Sequence, residues 1–285
     1  MLGRRNINQR PGPAWSRQKM LALLIGAGLT GVLLLLGIVL AVVYAVHPHR
    51  HPAEQGTTST RTSPSDAGTG TSRRSGTPMD PRDALADKPM TAVDGDASRP
   101  GPVSTTDPGT PIMLPASTSA GPAQVPTGFG HTSQGAMAQL AAIDQTALQS
   151  GTLAGAREVI QAWALPGGPT VSSWSGVRAM AEFFDAAGLS GGGNSQLAVV
   201  ASPLMGQIKG SVGADFVVPC VDFEIDVTLQ KTSRGAAADC QRMVWTGARW
   251  MIGPGFEPAT GPSVWPDTDT AIAVGYRDLR QDITR

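Results

Sequence analysis

Apolar and polar positions follow three different rhythms along this chain. Residues 20–46 (MLALLIGAGLTGVLLLLGIVLAVVYAV) carry no charged side chain over 27 consecutive positions. Residues 47–125 have no apolar rhythm: they hold no Phe, Trp or Tyr, and 41 of the 79 are Pro, Gly, Ser or Thr. Periodicity begins near residue 126. Thr132 or Ser133 caps a predicted helix to Gln149 with Met137, Leu140, Ala141 and Leu148 on one side. Thr152 caps a second through Ala164, stopped by Leu165-Pro166-Gly167-Gly168. Ser175 caps a third through Ala187, which carries Val177, Met180, Phe183 and Phe184 and ends at Gly188. Strands follow. Residues 196–202 and 204–212 read as two short ones, and 221–230 alternates without a fault. Val221, Phe223, Ile225, Val227 and Leu229 share one face of it, and Asp222, Glu224, Asp226, Thr228 and Gln230 the other. Lys231–Gly235 reads as a turn, 237–245 and 249–252 as one bent strand or two, and Pro254 onward as a Pro-rich tail with a helix near 269–280. Helices first, then an antiparallel sheet with one apolar face, is an α+β order.

The uncharged run is long enough to cross a bilayer. A helix of that length spans about 40 Å against a hydrocarbon core of roughly 30 Å. Arg4, Arg5, Arg10, Arg17 and Lys19 precede it without an acid, and Arg50 is the nearest cation after it. The positive-inside rule then puts residues 1–19 in the cytoplasm, 20–46 across the membrane and the remainder outside. A cleaved signal peptide is the rival reading; its apolar region runs about 7–15 residues, and no clear small-x-small site follows this one. Within the span, Ala22, Gly26 and Thr30 form a small-residue stripe that either lets membrane helices pack closely or merely faces lipid. Gly26-Ala27-Gly28-Leu29-Thr30-Gly31 matches a dinucleotide loop only as a string, because no strand precedes it. Residues 47–125, with seven basic and eight acidic side chains well mixed, read as a disordered tether of about 50 Å reach.

Composition narrows the chemistry. Twenty-two basic and 22 acidic residues balance to zero net charge, and residues 126–285 alone are net −4 (ten basic, fourteen acidic), so no direct nucleic-acid binding is expected. Two cysteines and four histidines exclude a Cys-rich zinc module. Five of the six Trp and all six Phe lie beyond residue 125, which places core formation there. Cys220 and Cys240 are either a disulfide, permitted outside the membrane, or two buried thiols. A tight hairpin centred on Ser233 sets Cys220 opposite Thr246; a direct bridge needs the turn near Gln230. Asp222, Glu224 and Asp226 project from one strand face, read as a wet or partner-binding surface rather than a cation or acid–base site. Arg242 is the expected partner of Glu224 if the turn centres near Ser233. Trp265, in the Pro-rich tail, is either an exposed partner anchor or folded back onto its own domain. His131 is the single histidine beyond residue 125 and reads as a cap or surface residue, with no orienting carboxylate visible beside it. No catalytic or cofactor motif appears.

Several strings then read together: Pro126-Thr127-Gly128-Phe129-Gly130-His131-Thr132-Ser133-Gln134-Gly135-Ala136, Arg242-Met243-Val244-Trp245, Arg249-Trp250-Met251-Ile252, Trp265-Pro266-Asp267 and Gly275-Tyr276-Arg277. With the basic start, single anchor and tether, they resemble anchored proteins of actinobacterial integrative and conjugative elements. The external domains of those proteins are similar to TcpC-type and VirB inner-membrane subunits of conjugative type IV secretion systems. The resemblance covers about residues 126–285 and the layout. The element order fits three helices on a curved sheet, like the nuclear-transport-factor-2 cone, and the resemblance implies a non-enzymatic scaffold that joins other envelope proteins of a channel and can form homo-oligomers. TcpC-type proteins can carry two such domains; this chain has room for one. The competing classes are an envelope binding or sensing module unrelated to DNA transfer, and a small-molecule enzyme of the same cone.

Overall fold

The computed structural model describes residues 79–189 and 194–282. The fold is α+β, a curled half-barrel sheet with helices against it. Among the described residues no helix is long and apolar enough to cross a membrane. The expected span 20–46, its Ala22, Gly26 and Thr30 stripe, and the linker up to residue 78 lie outside the described residues.

Residues 79–125 correct the tether expectation. They are ordered on the domain. Helix α1 (Pro81–Asp87) starts where the Asp80 side chain accepts from the Arg82 N–H and Pro81 presets the first turn. Beyond it, Trp265 N donates to Ala97 O at 2.6 Å and Ser104 N to Asp267 O at 2.6 Å. Strand β1 (Ile112–Leu114) then joins the sheet, and β2 (Ser119–Ala120) and β3 (Pro126–Thr127) form a two-stranded ribbon. Composition measures what a segment can bury by itself. Here the neighbouring sheet and tail supply the hydrogen-bond partners and the apolar contacts that the segment lacks.

The three expected helices are present. Helix α2 (Ser133–Gln149) is capped by Thr132, which accepts from Gly135 N, and α3 (Leu153–Trp163) by Thr152, which accepts from Gly155 N. Helix α4 (Ser175–Ala186) differs: Trp174 holds the cap position without a side-chain bond, and a distant carboxylate supplies the acceptor instead. Alanines let α2 lie close to the sheet, with Met137, Leu140 and Ile143 fully buried.

Strand β4 (Ala198–Ser211) is one long strand rather than two. It pairs antiparallel with β5 (Phe216–Thr228), with register shifts at Pro203/Met205 and Ile208/Gly210. Pro203 has no N–H to give the ladder, so a bulge there lets the strand continue through the expected break. The hairpin from β5 to β6 (Thr232–Cys240) is centred on Gln230, with Thr228 opposite Thr232. Strand β7 (Met243–Trp245) continues beside β5 in the same register, Phe216 opposite Val244, and β8 (Trp250–Ile252) follows after the turn at Gly247. The tail forms a short helix α5 (Asp269–Ala273) and then β9 (Arg277–Gln281), which lies between β4 and β1. The sheet order is β1-β9-β4-β5-β7-β8, with β6 also on β5.

The sheet is covered on both faces. Helices α2 to α4 bury Val221 and Phe223 on one face, together with Trp250 and Ile252. On the other face a smaller apolar group, Met205, Cys220, Cys240, Val264, Val274 and Tyr276, is built by the tail. Tyr276 completes it by donating its hydroxyl to Pro262 O at 2.9 Å.

Candidate functional site

The face of β5 read as wet is roofed by that tail. Asp222 is 0% exposed; its Oδ1 accepts from Val264 N at 3.4 Å and its Oδ2 has no partner. Burial pushes this carboxyl well above its ordinary range, and the Val264 N–H opposes the shift only in part. Glu224 and Asp226, nearer the rim, both bond to Arg234: Nη2 to Glu224 Oε1 and Nε to Asp226 Oδ1. The guanidinium stands 5.0 Å from the Trp265 ring, and Trp265 is only 8% exposed. Of the four residues assigned to a partner surface, Asp222 and Trp265 are therefore buried between the sheet and the tail, while Glu224 and Asp226 pair with Arg234 at the rim. Alternation showed that one face of the strand is polar; it did not show which later segment lies over that face.

The hairpin centre explains two further outcomes. Cys220 and Cys240 face each other across β5 and β6 and are disulfide-bonded. The same register sets Asp226 opposite Arg234, so Arg234 and not Arg242 takes Glu224. Arg242 instead reaches Asp83 on α1 at 2.6 Å and sits 5.4 Å from the Phe216 ring. Its side chain is 8% exposed, and this buried cation ties α1 to the start of β7.

A second acidic group lies on the helix-covered side. Asp239 is opposite Val221, so it shares the core face of the sheet with Val221 and Phe223. Asp144, the single charged residue of α2, is 3% exposed, and neither of its oxygens has a donor. The Asp239 carboxyl lies close enough to bear on it. Gln241 Nε2 donates to both Asp239 oxygens, at 3.1 and 2.9 Å, and to Glu257 Oε1 at 3.1 Å. Glu257 in turn accepts from Ser175 N at 3.0 Å and from Ser175 Oγ at 2.8 Å, and is the remote cap of α4. Arg178 Nη2 lies 3.7 Å from Glu257 Oε2. Burial first, then the charges of Asp239 and Glu257, push Asp144 well above its ordinary range. Burial and the Glu257 charge push Asp239 up to about 7, although Gln241, the Cys240 N–H and Asp144 pull it down. Among the described residues no group of His, Cys, Asp and Glu has the geometry to hold a metal ion. What the arrangement can hold is a proton.

His131 does have a carboxylate. Its Nε2 is 2.8 Å from Asp215 Oδ1 and 3.1 Å from Ala214 O, and its ring stacks on Trp245 at 4.5 Å. With Trp250 Nε1 donating to Gly130 O at 3.0 Å, this group fastens the entry to α2 to the β4–β5 turn and β8. Asp215 is well exposed, so the pair is a surface clasp.

The sequence reading missed Asp144, Asp239 and Glu257. Asp144 carried a signal, one acid in the otherwise uncharged window 133–149. Asp239 needed the hairpin register, and Glu257 lies in a loop with no periodicity. No protein-family model matches the chain, and neither a curated protein nor a solved structure is significantly similar to it.

Proposed function

We propose that this chain is a membrane-anchored, non-enzymatic scaffold subunit of a conjugative-transfer or type IV secretion-like apparatus. Its N-terminus faces the cytoplasm and its folded domain lies outside the membrane, where it joins other envelope proteins and copies of itself. One observation carries the reading: the Cys220–Cys240 disulfide sits in a chain whose basic start is followed by 27 uncharged residues. A disulfide persists on the oxidising side of a membrane, which is where the charge asymmetry directs the domain. The motif strings and layout support the conjugation assignment. Helices preceding a curled sheet are in keeping with a nuclear-transport-factor-2-like cone. The space between α2 and the sheet is filled by Met137, Leu140, Ile143, Val221, Phe223 and Trp250, which favours a scaffold over an enzyme of that cone.

The test is crosslinking and co-purification of the full-length chain from membranes, with protease added to intact spheroplasts. The scaffold reading expects channel proteins in the eluate and digestion of the domain from outside. Monomer alone, or a protected domain, overturns it. A second reading, an anchored envelope sensing module unrelated to DNA transfer, draws on the buried carboxyl group and is favoured if no conjugation protein co-purifies.

A further inference from the structure

The Asp144, Asp239 and Glu257 group joins four separate parts of the fold. Asp144 belongs to α2, Asp239 to β6, Glu257 to the turn after β8, and the Ser175 and Arg178 that contact Glu257 to α4. Its charges do not balance. Three carboxyls face one guanidinium, that of Arg178, whose side chain is 60% exposed and which approaches Glu257 rather than the aspartates. Gln241 gives its amide nitrogen to Asp239 and Glu257 and donates nothing to Asp144, and its own amide oxygen is buried without a partner. Asp144 therefore lies buried with two bare oxygens against another carboxyl. Two carboxylates cannot hydrogen-bond each other; a carboxylic acid and a carboxylate can. An unpaired charge in such a position is also the costliest way to bury Asp144.

We propose that Asp144 and Asp239 are joined through a proton rather than facing each other as two carboxylates, and that this proton fastens the Glu257 turn and the first turn of α4 to α2 and the sheet. Asp144 carries the hydrogen and donates it to Asp239, whose oxygens also take the Gln241 amide. Gln241 passes the constraint to Glu257, and Glu257 caps α4 through Ser175. When the pH rises the proton leaves to solvent base, and three negative charges then face one exposed cation. The weakest joint is the Glu257 turn, because Glu257 can exchange its buried contacts for water. Phe256, adjacent to it, is 90% exposed, so the change reaches the surface.

The sign follows from the directions of the shifts. Burial raises both aspartates in the folded state, Asp239 to about 7. The fastening is complete below the ordinary carboxyl range and is lost as pH rises through neutrality. The two groups titrate as a pair, so the loss belongs to the pair.

The test uses the full-length chain in detergent micelles. Hydrogen exchange of the segment containing the Ser175 amide, corrected for intrinsic exchange, reads the opening of the α4 cap. The opening equilibrium is expected to rise by up to about tenfold per pH unit from pH 5 to pH 7 and to level off once the pair is ionised. D144N supplies a permanent amide donor to Asp239, flattens that rise, and removes a protonated-carboxyl band from the infrared spectrum at pH 7. D222N is the control: it removes the band of the acid beneath the tail and leaves the Ser175 rise intact. A pH-independent opening in the wild-type protein overturns the proposal, whether or not either variant folds. So does a D144N spectrum that keeps the full band.

Discussion

Trp265 distinguishes a tail that belongs to the core from one that merely trails the domain. Its ring is 8% exposed, lies under the Arg234 guanidinium at 5.0 Å, and its backbone N–H is bonded to Ala97 O. Replacing a buried Trp with Ala costs about 3–5 kcal/mol, and the lost cation–π contact is included in that sum. One side of the ring is roofed by an arginine that is itself half exposed, so collapse and water entry relieve part of the cavity. The expected loss is therefore near the lower end, about 3 kcal/mol, out of a total of about 5–15 for a domain. Pulse proteolysis of full-length W265A in a urea series, in detergent micelles, reads it as a lower midpoint with an unchanged slope. W265F, which keeps an aromatic plate under Arg234, is expected to recover more than half. A loss below about 0.5 kcal/mol is what a surface substitution gives, and it would refute the placement of the tail over Asp222.

Three further outcomes follow from the same contacts. Reduction of Cys220–Cys240, or C220S/C240S, removes a crosslink across 20 residues and is expected to lower stability by about 3 kcal/mol on the chain-entropy estimate, with reductant having no effect on the double variant. D83A leaves the buried Arg242 cation without its carboxylate and is expected to cost about 2 kcal/mol; a double-mutant cycle with R242M should show coupling, and additive losses would show that the pair does not hold α1. Gly128 has φ +84°, and a Cβ there would overlap Thr118 Oγ1, so G128A is expected to lose at least 1 kcal/mol and to free the β2–β3 ribbon to faster hydrogen exchange.

Local pattern alone was enough for several parts of this protein. The faultless alternation of 221–229 gave β5 and its buried Val221 and Phe223 because a pleated strand presents every second residue to the same side. Threonines at 132 and 152 marked two helix starts because their hydroxyls satisfy N–H groups the helix leaves free. The cysteines could be listed as a candidate pair. None of this said what any face would meet. The roof over Asp222, the pairing of Arg234 rather than Arg242 with Glu224, and the capping of α4 by Glu257 join residues 10 to 82 positions apart. Residues 79–125 are ordered through contacts with β4, β7, β9 and the tail, partners their own composition cannot reveal. Periodicity is a property of neighbours along the chain. Cover, register and the sharing of a proton between Asp144 and Asp239 are properties of neighbours in space, and in this chain a three-residue shift in one hairpin centre was enough to change which neighbours those are.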